Sequence, residues 1–198
     1  MVVNDKEKLI KHIWLYRSFL YRFTMFKTTF KDKEMNLIIE ALNIKNRYKR
    51  IYFIINTLCD QIDEYYKACN LCEFKNNRCL CHREKKLEYL NGCCRKCPYQ
   101  STNGCTTKNF ACKMFNCSYV RKKHSVLTNK DLVLLKVLTP LQRLDLASDY
   151  FSSIEEVALD LFWGPLYSIP RTIIRTTKIM LGKYNFTEKY NKNNKMQP

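Results

Sequence analysis

Ten of the eleven cysteines in this 198-residue chain lie between Cys69 and Cys117. They run Cys69-x2-Cys72-x6-Cys79-x-Cys81, then Cys93-Cys94-x2-Cys97, then Cys105, Cys112 and Cys117. So many thiols side by side would oxidise if left unoccupied, so they are either cross-linked or bound to metal. The redox compartment decides between the two. The N-terminal stretch MVVNDKEKLIKHIWLYRSFLYRF carries charges through its apolar run and has no small-residue cleavage pattern, so it does not read as a secretory signal. A cytoplasmic location with reduced thiols is therefore expected. A disulfide-stapled secreted domain would also leave one cysteine over.

The rest of the chain reads as helix. Four glycines and five prolines leave little room for a loop-rich fold of short strands. In residues 1–68, Leu9, Ile13, Tyr16, Leu20 and Phe23 form one helical stripe, and Ile51, Ile55, Leu58, Ile62 and Tyr65 form another that leads directly to Cys69. Between them Asp32 reads as the cap of a shorter helix carrying Met35, Ile38, Ile39 and Leu42. Residues 69–124 form the cysteine zone, with turn signals at Asn76-Asn77, Asn91-Gly92 and Asn103-Gly104 and a short helix predicted over His82–Leu90. Its remaining backbone is expected to be irregular and held by ligands. In residues 125–181, Thr128 and Asp131 suggest a cap before a helix over Leu132–Leu138, which Pro140 kinks or restarts. Ser152 or Ser153 opens a further helix ending near Gly164-Pro165, and Pro170 begins a last basic segment. Residues 182–198, rich in Asn and Lys, read as a disordered tail. The expected fold is mainly α, with helical N- and C-terminal zones flanking an irregular, metal-stabilised cysteine-rich module. The longest uncharged stretches are too short to span a bilayer.

Thiolates are soft donors suited to zinc and iron–sulfur clusters. A C-x2-C pair clamps one ion because a tight turn brings both sulfurs to the same side. Two such pairs are present, Cys69/Cys72 and Cys94/Cys97, at a separation near that of knuckles sharing a tetrahedral zinc. Adjacent Cys93 and Cys94 cannot easily serve one ion, so one is a spectator or the two point to different centres. Eight ligands would make two four-coordinate centres and leave two thiols over. One partition takes Cys69, Cys72, Cys79 and Cys81 for the first centre and draws the second from Cys94, Cys97, Cys105, Cys112 and Cys117; an interleaved arrangement is equally allowed. His82 and His124 could replace a thiolate, although each sits among basic residues and reads more simply as surface. Cys59, beside Leu58 on a periodic helix, reads as a core thiol. Neither ferredoxin spacing appears, so about two zinc ions are expected, with an iron–sulfur cluster as the alternative.

The stretch GCCRKCPYQSTNGCTTKNFACKMF resembles cysteine-cluster proteins described as zinc- or iron-chelating domains. The likeness rests on the tandem Cys93-Cys94, Cys97 near Tyr99, Gly104-Cys105, and Cys112-Lys113 with Phe115. The Arg-Pro dipeptide of that family before the last cysteine is absent, Lys108-Asn109-Phe110 standing there instead, and the last spacing is shorter. The resemblance covers residues 93–115 and implies metal binding, not an activity.

The formal charge of +17 is concentrated in the cysteine zone, where twelve Lys and Arg face three acids. Basic residues interleaved with aromatics suit phosphate contacts and base stacking. A zinc ion with four thiolates carries a net double negative charge, so part of the excess compensates metal centres. Nucleic acid is the expected partner, met by Arg78, Arg83, Lys85, Lys86, Arg95 and Lys96 on the cysteine module. No Ser/His/Asp constellation, P-loop, dinucleotide turn or H-E-x-x-H is present, so a binding or regulatory role is expected rather than an enzyme. Two other readings remain: an iron–sulfur redox or sensor protein, and a structural protein whose helical stripes bind a partner or a second copy.

Overall fold

The computed structural model describes Ile13 and residues 31–73, 100–101, 104–150 and 152–181. It is mainly helical. Helix α1 (Lys33–Asn43) begins where Asp32 accepts a hydrogen bond from the Glu34 amide at 2.9 Å, satisfying one of the orphan donors of the first turn. It buries Met35, Ile38, Ile39 and Leu42, the face its spacing predicts. Three residues later α2 (Arg47–Cys69) starts behind Asn46, whose side chain accepts from the Lys49 amide at 3.0 Å. At 23 residues this helix is about 35 Å long and forms the central strut of the fold. Ile51, Ile54, Ile55, Leu58, Cys59 and Ile62 are buried along it. Ile13 joins the same buried cluster.

The cysteine zone is more regular than expected where it is described. Residues 100–101 (β1) and 104–105 (β2) pair as an antiparallel hairpin, Gln100 opposite Cys105 and Ser101 opposite Gly104. Helices α3 (Phe110–Met114) and α4 (Ser118–Lys123) follow. Two features explain the order at α3. The buried Asn109 caps it, accepting from the Cys112 amide at 2.8 Å while its amide nitrogen donates to the carbonyls of Asp149 at 2.8 Å and Ser152 at 3.1 Å. Phe110 enters the same core as Met35, Leu58 and Leu146. One core thus draws on all three zones of the sequence.

Thr128 and Asp131 do not cap an α-helix. The Asp131 carboxylate instead takes both the Thr128 amide, at 2.7 Å, and its hydroxyl, at 2.8 Å, closing a turn. A 3₁₀ helix (Val133–Val137) stands in place of the expected α-helix. Pro140 supplies the reason: it forces Thr139 into extended backbone and leaves room for little more than one turn, which suits 3₁₀ geometry. Leu132, Leu134, Leu135, Val137 and Leu138 of this stretch are nonetheless buried.

Pro140 opens α5 (Pro140–Ser148) from its first position, with Thr139 and Gln142 exchanging capping-box hydrogen bonds at 3.1 and 3.0 Å. Ser153 and Glu156 do the same for α6 (Ile154–Trp163), so the Glu156 carboxylate serves the helix start. Gln142 also donates to the Leu161 carbonyl at 3.1 Å, satisfying an acceptor in the last turn of α6. Gly164 ends α6 at φ +95°, a conformation any other residue would strain. The last helix, α7 (Pro165–Met180), begins five residues before the expected Pro170, which lies inside it. Pro165 is the better start because the first-turn nitrogens lack intrahelical partners in any case. Helix α6 packs on α2, and α7 packs on α5 and α6. None of the described helices is long and apolar enough to cross a membrane. The segment His82–Leu90 and the tail 182–198 lie outside the described residues.

Candidate metal centre

The C-terminal end of α2 delivers the first cysteine pair. Asn70 takes the left-handed conformation (φ 43°, ψ 46°) and returns its amide to the Tyr66 carbonyl at 2.9 Å, the closure Asn tolerates better than other side chains. The Glu73 amide then donates to the Asn70 carbonyl at 2.8 Å, so Cys69 and Cys72 lie on one tight turn. Cys69 is exposed and Cys72 half-buried.

Glu73 also has positive φ, 45°, which for a glutamate needs an external hold. Lys123 and His124 at the end of α4 supply it. The Lys123 ammonium lies 2.8 Å and His124 Nε2 2.9 Å from Glu73 Oε1. These partners, the lysine first, hold the Glu73 carboxyl below its ordinary range. Tyr66 Oη donates to the Asn116 side chain, and Tyr65 Oη donates to the Ser125 carbonyl at 3.1 Å. The Cys69–Cys72 turn is therefore fixed against the segment that carries Cys117, the N-cap of α4. Cys112, on α3, and Cys117 are both half-buried.

Cys59, Cys69, Cys72, Cys112 and Cys117 are not joined in disulfides. Among the described residues no three His, Cys, Asp or Glu side chains converge on a point that could hold a metal. Cys105 lies on β2; Cys79, Cys81, Cys93, Cys94 and Cys97 lie outside the described residues. So do Arg78, Arg83, Lys85, Lys86, Arg95 and Lys96, expected to meet nucleic acid, and His82. Cys59 is fully buried on α2, and burial pushes its thiol up to about 12, so it stays protonated in the folded chain.

Part of the positive charge has partners the sequence did not reveal. Lys108 pairs with Asp60 and the buried Lys113 with Asp63, both acids on α2. These cations answer the helix beneath them. The exposed Arg121, Lys122 and Lys123 cluster on α4, Lys123 being paired with Glu73.

A second polar cluster, at the base of α3, was not anticipated. Asp145, Asp149, Ser152, Asp160, Ser168 and Arg175 are all buried where α5, α6 and α7 meet. Arg175 donates to Asp149 and to Ser152 Oγ, and its second nitrogen lies 3.9 Å from Asp160. Arg171 holds Asp160 at 2.7 Å. The four-residue spacings Asp145/Asp149 and Arg171/Arg175 place like charges on one helical face each, a complementary pattern visible in the sequence. Asp145 is the weakly compensated member: burial raises its carboxyl above the ordinary 3.8, against opposing pulls from Ser168 and Arg175. A raised folded pKa means that stability falls as pH rises through the window above 3.8. Asp145→Asn is therefore expected to raise the melting temperature at pH 7, the gain shrinking as pH falls toward about 4. A difference that stays constant over that range, measured by thermal scans, would rule out Asp145 as its source.

Comparison with protein families, curated proteins and solved structures found no match.

Proposed function

We propose that this chain is a metal-binding cysteine-cluster protein, with zinc as the metal, that serves a binding or regulatory role with nucleic acid as its partner. The observation that carries the metal reading is the Cys69–Cys72 turn. Its two thiols lie outside any disulfide, on a hydrogen-bonded turn with two left-handed residues, braced through Glu73 to the segment following Cys117. A pair on such a turn offers half of a tetrahedral thiolate set. Cys79, Cys81, Cys93, Cys94, Cys97, Cys105, Cys112 and Cys117 supply the remaining donors for about two ions. Zinc bound by four thiolates would act structurally, adding folding energy and fixing the backbone between its ligands. The nucleic-acid reading is supported by the +17 charge and by the exposed run Arg121, Lys122 and Lys123.

Anaerobic purification followed by metal analysis and a visible spectrum tests the metal. About two zinc ions per colourless chain are expected; iron with sulfide and a brown colour would replace zinc with a cluster. Cys72→Ser should lose about one metal equivalent while Cys59→Ala keeps the full complement. Metal content unchanged in Cys72→Ser would remove that residue from the site. Nucleic-acid affinity should drop steeply between about 50 and 200 mM salt; no binding at the lower concentration would dismiss that partner.

A further inference from the structure

Helix α7 is turned inside out relative to an ordinary surface helix. Among its described side chains the side it presses against α5 and α6 is polar: Ser168 and Arg175 are buried, and Arg171 and Thr172 half-buried. The side it turns to water is apolar. Leu166 is 96% exposed, Ile173 60%, and Ile169, Ile174 and Leu181 are each more than half exposed. Positions 166, 169, 170, 173, 174 and 181 fall on one continuous half of the helical circumference, which Thr177 and Lys178 alone interrupt among its described side chains. The rotation is locked rather than incidental, because Arg171 and Arg175 are bound to Asp160 and Asp149. Trp163 and Tyr167, both exposed, lie at the start of this face with their ring centroids 6.5 Å apart. A contiguous apolar patch held outward in this way marks an interaction surface.

We propose that this face of α7 seats the protein on an anionic lipid surface. Charge decides among the occupants. The helix carries no acid, and with Arg171 and Arg175 bound to Asp160 and Asp149 its exposed cation is Lys178. The sequence that follows adds Lys183, Lys189, Lys192 and Lys195 against Glu188 alone. A second copy on the same face would bring together two chains of +17 each, with no acid on either helix to offset Lys178. An anionic bilayer has the opposite sign. Trp and Tyr rings at the edge of an apolar stripe, with lysine at its border and in the sequence that follows, are the composition of helices that lie in the headgroup layer. At 16 residues α7 is about 24 Å long, sized to lie along the surface, and no described helix can cross it.

Flotation of the full-length, metal-replete protein with vesicles provides the test. Vesicles of phosphatidylcholine with about one-third phosphatidylserine should carry the protein at low salt, and pure phosphatidylcholine should carry much less. Leu166→Asp/Ile173→Asp should reduce binding by about tenfold or more with an unchanged melting temperature, since both positions are exposed. If that pair lowers the melting temperature, Ile169→Gln/Ile174→Gln provides the same comparison with a milder change. Absence of flotation with anionic vesicles would overturn the proposal. So would a double variant that floats as well as the parent, because binding would then rest on charge elsewhere. A parent chain that is dimeric, becomes monomeric in the variant and ignores vesicles would assign the face to a second copy instead.

Discussion

Arg175→Leu should lower the stability of the folded chain by about 3–5 kcal/mol, read as a shift of the urea midpoint. The guanidinium is buried between Asp149, Ser152 and Asp160, and leucine would fill only part of its volume. Its loss strands Asp149 beside Ser152 and takes one of two arginines from Asp160. An uncompensated buried carboxylate is far costlier than a missing attraction, because water can no longer solvate it. The companion change Asp149→Asn should therefore restore part of the loss in the double variant, and the coupling between the two measures their interaction. A midpoint that barely moves in Arg175→Leu would show that water reaches these carboxylates. The same substitution should weaken vesicle binding, because Arg175 helps fix which side of α7 faces outward.

Phe110→Ala should cost about 3–5 kcal/mol, the range for truncating a buried aromatic side chain. Its particular interest lies in its position, between Cys105 and Cys112 in sequence yet in the same core as the helices on either side. Helix α3 touches both α2 and α5, so the cavity would open where the cysteine zone meets the rest of the protein. Helix signal and cysteine accessibility to a thiol reagent should then still change in a single urea transition, shifted to lower concentration. Two separate transitions in the parent chain would show instead that the cysteine zone melts independently of the helices.

Much of the helical frame was legible because it rests on local chemistry. Asp32, Ser153 with Glu156, and the Gly164-Pro165 junction mark helix ends through hydrogen bonds and backbone geometry that span only a few residues. The stripe Ile51, Ile55, Leu58 and Ile62 is buried because a period near 3.6 leaves an amphipathic helix one way to bury its apolar side. Cys59 read as a core thiol for the same reason. The errors arose where a local signal had two solutions. Thr128 and Asp131 match a helix cap and a closed turn equally well, and Pro140 downstream selected the turn with 3₁₀ geometry. Pro170 reads as the start of the last basic segment, but Gly164-Pro165 had already begun the helix that contains it. The cysteine zone looked irregular because its order comes from distant partners: Asn109 bonding the carbonyls of Asp149 and Ser152, and Phe110 entering the core.

By itself the sequence determined a mainly helical chain, its principal caps, the core face of the long central helix and a block of cysteines at that helix's end. These follow from periodicity and from hydrogen bonds between near neighbours, which the order of residues encodes directly. Only the tertiary structure decided where the charges go. It paired Lys108 and Lys113 with acids some fifty residues earlier, braced the Cys69–Cys72 turn through Glu73 to Lys123 and His124, and turned the polar side of α7 inward. Hydrophobic periodicity alone would bury the other side of that helix. Buried charge overrides it here because Asp149 and Asp160 have no water to solvate them, and the arginines of α7 answer that need while Ile169, Ile173 and Ile174 face outward.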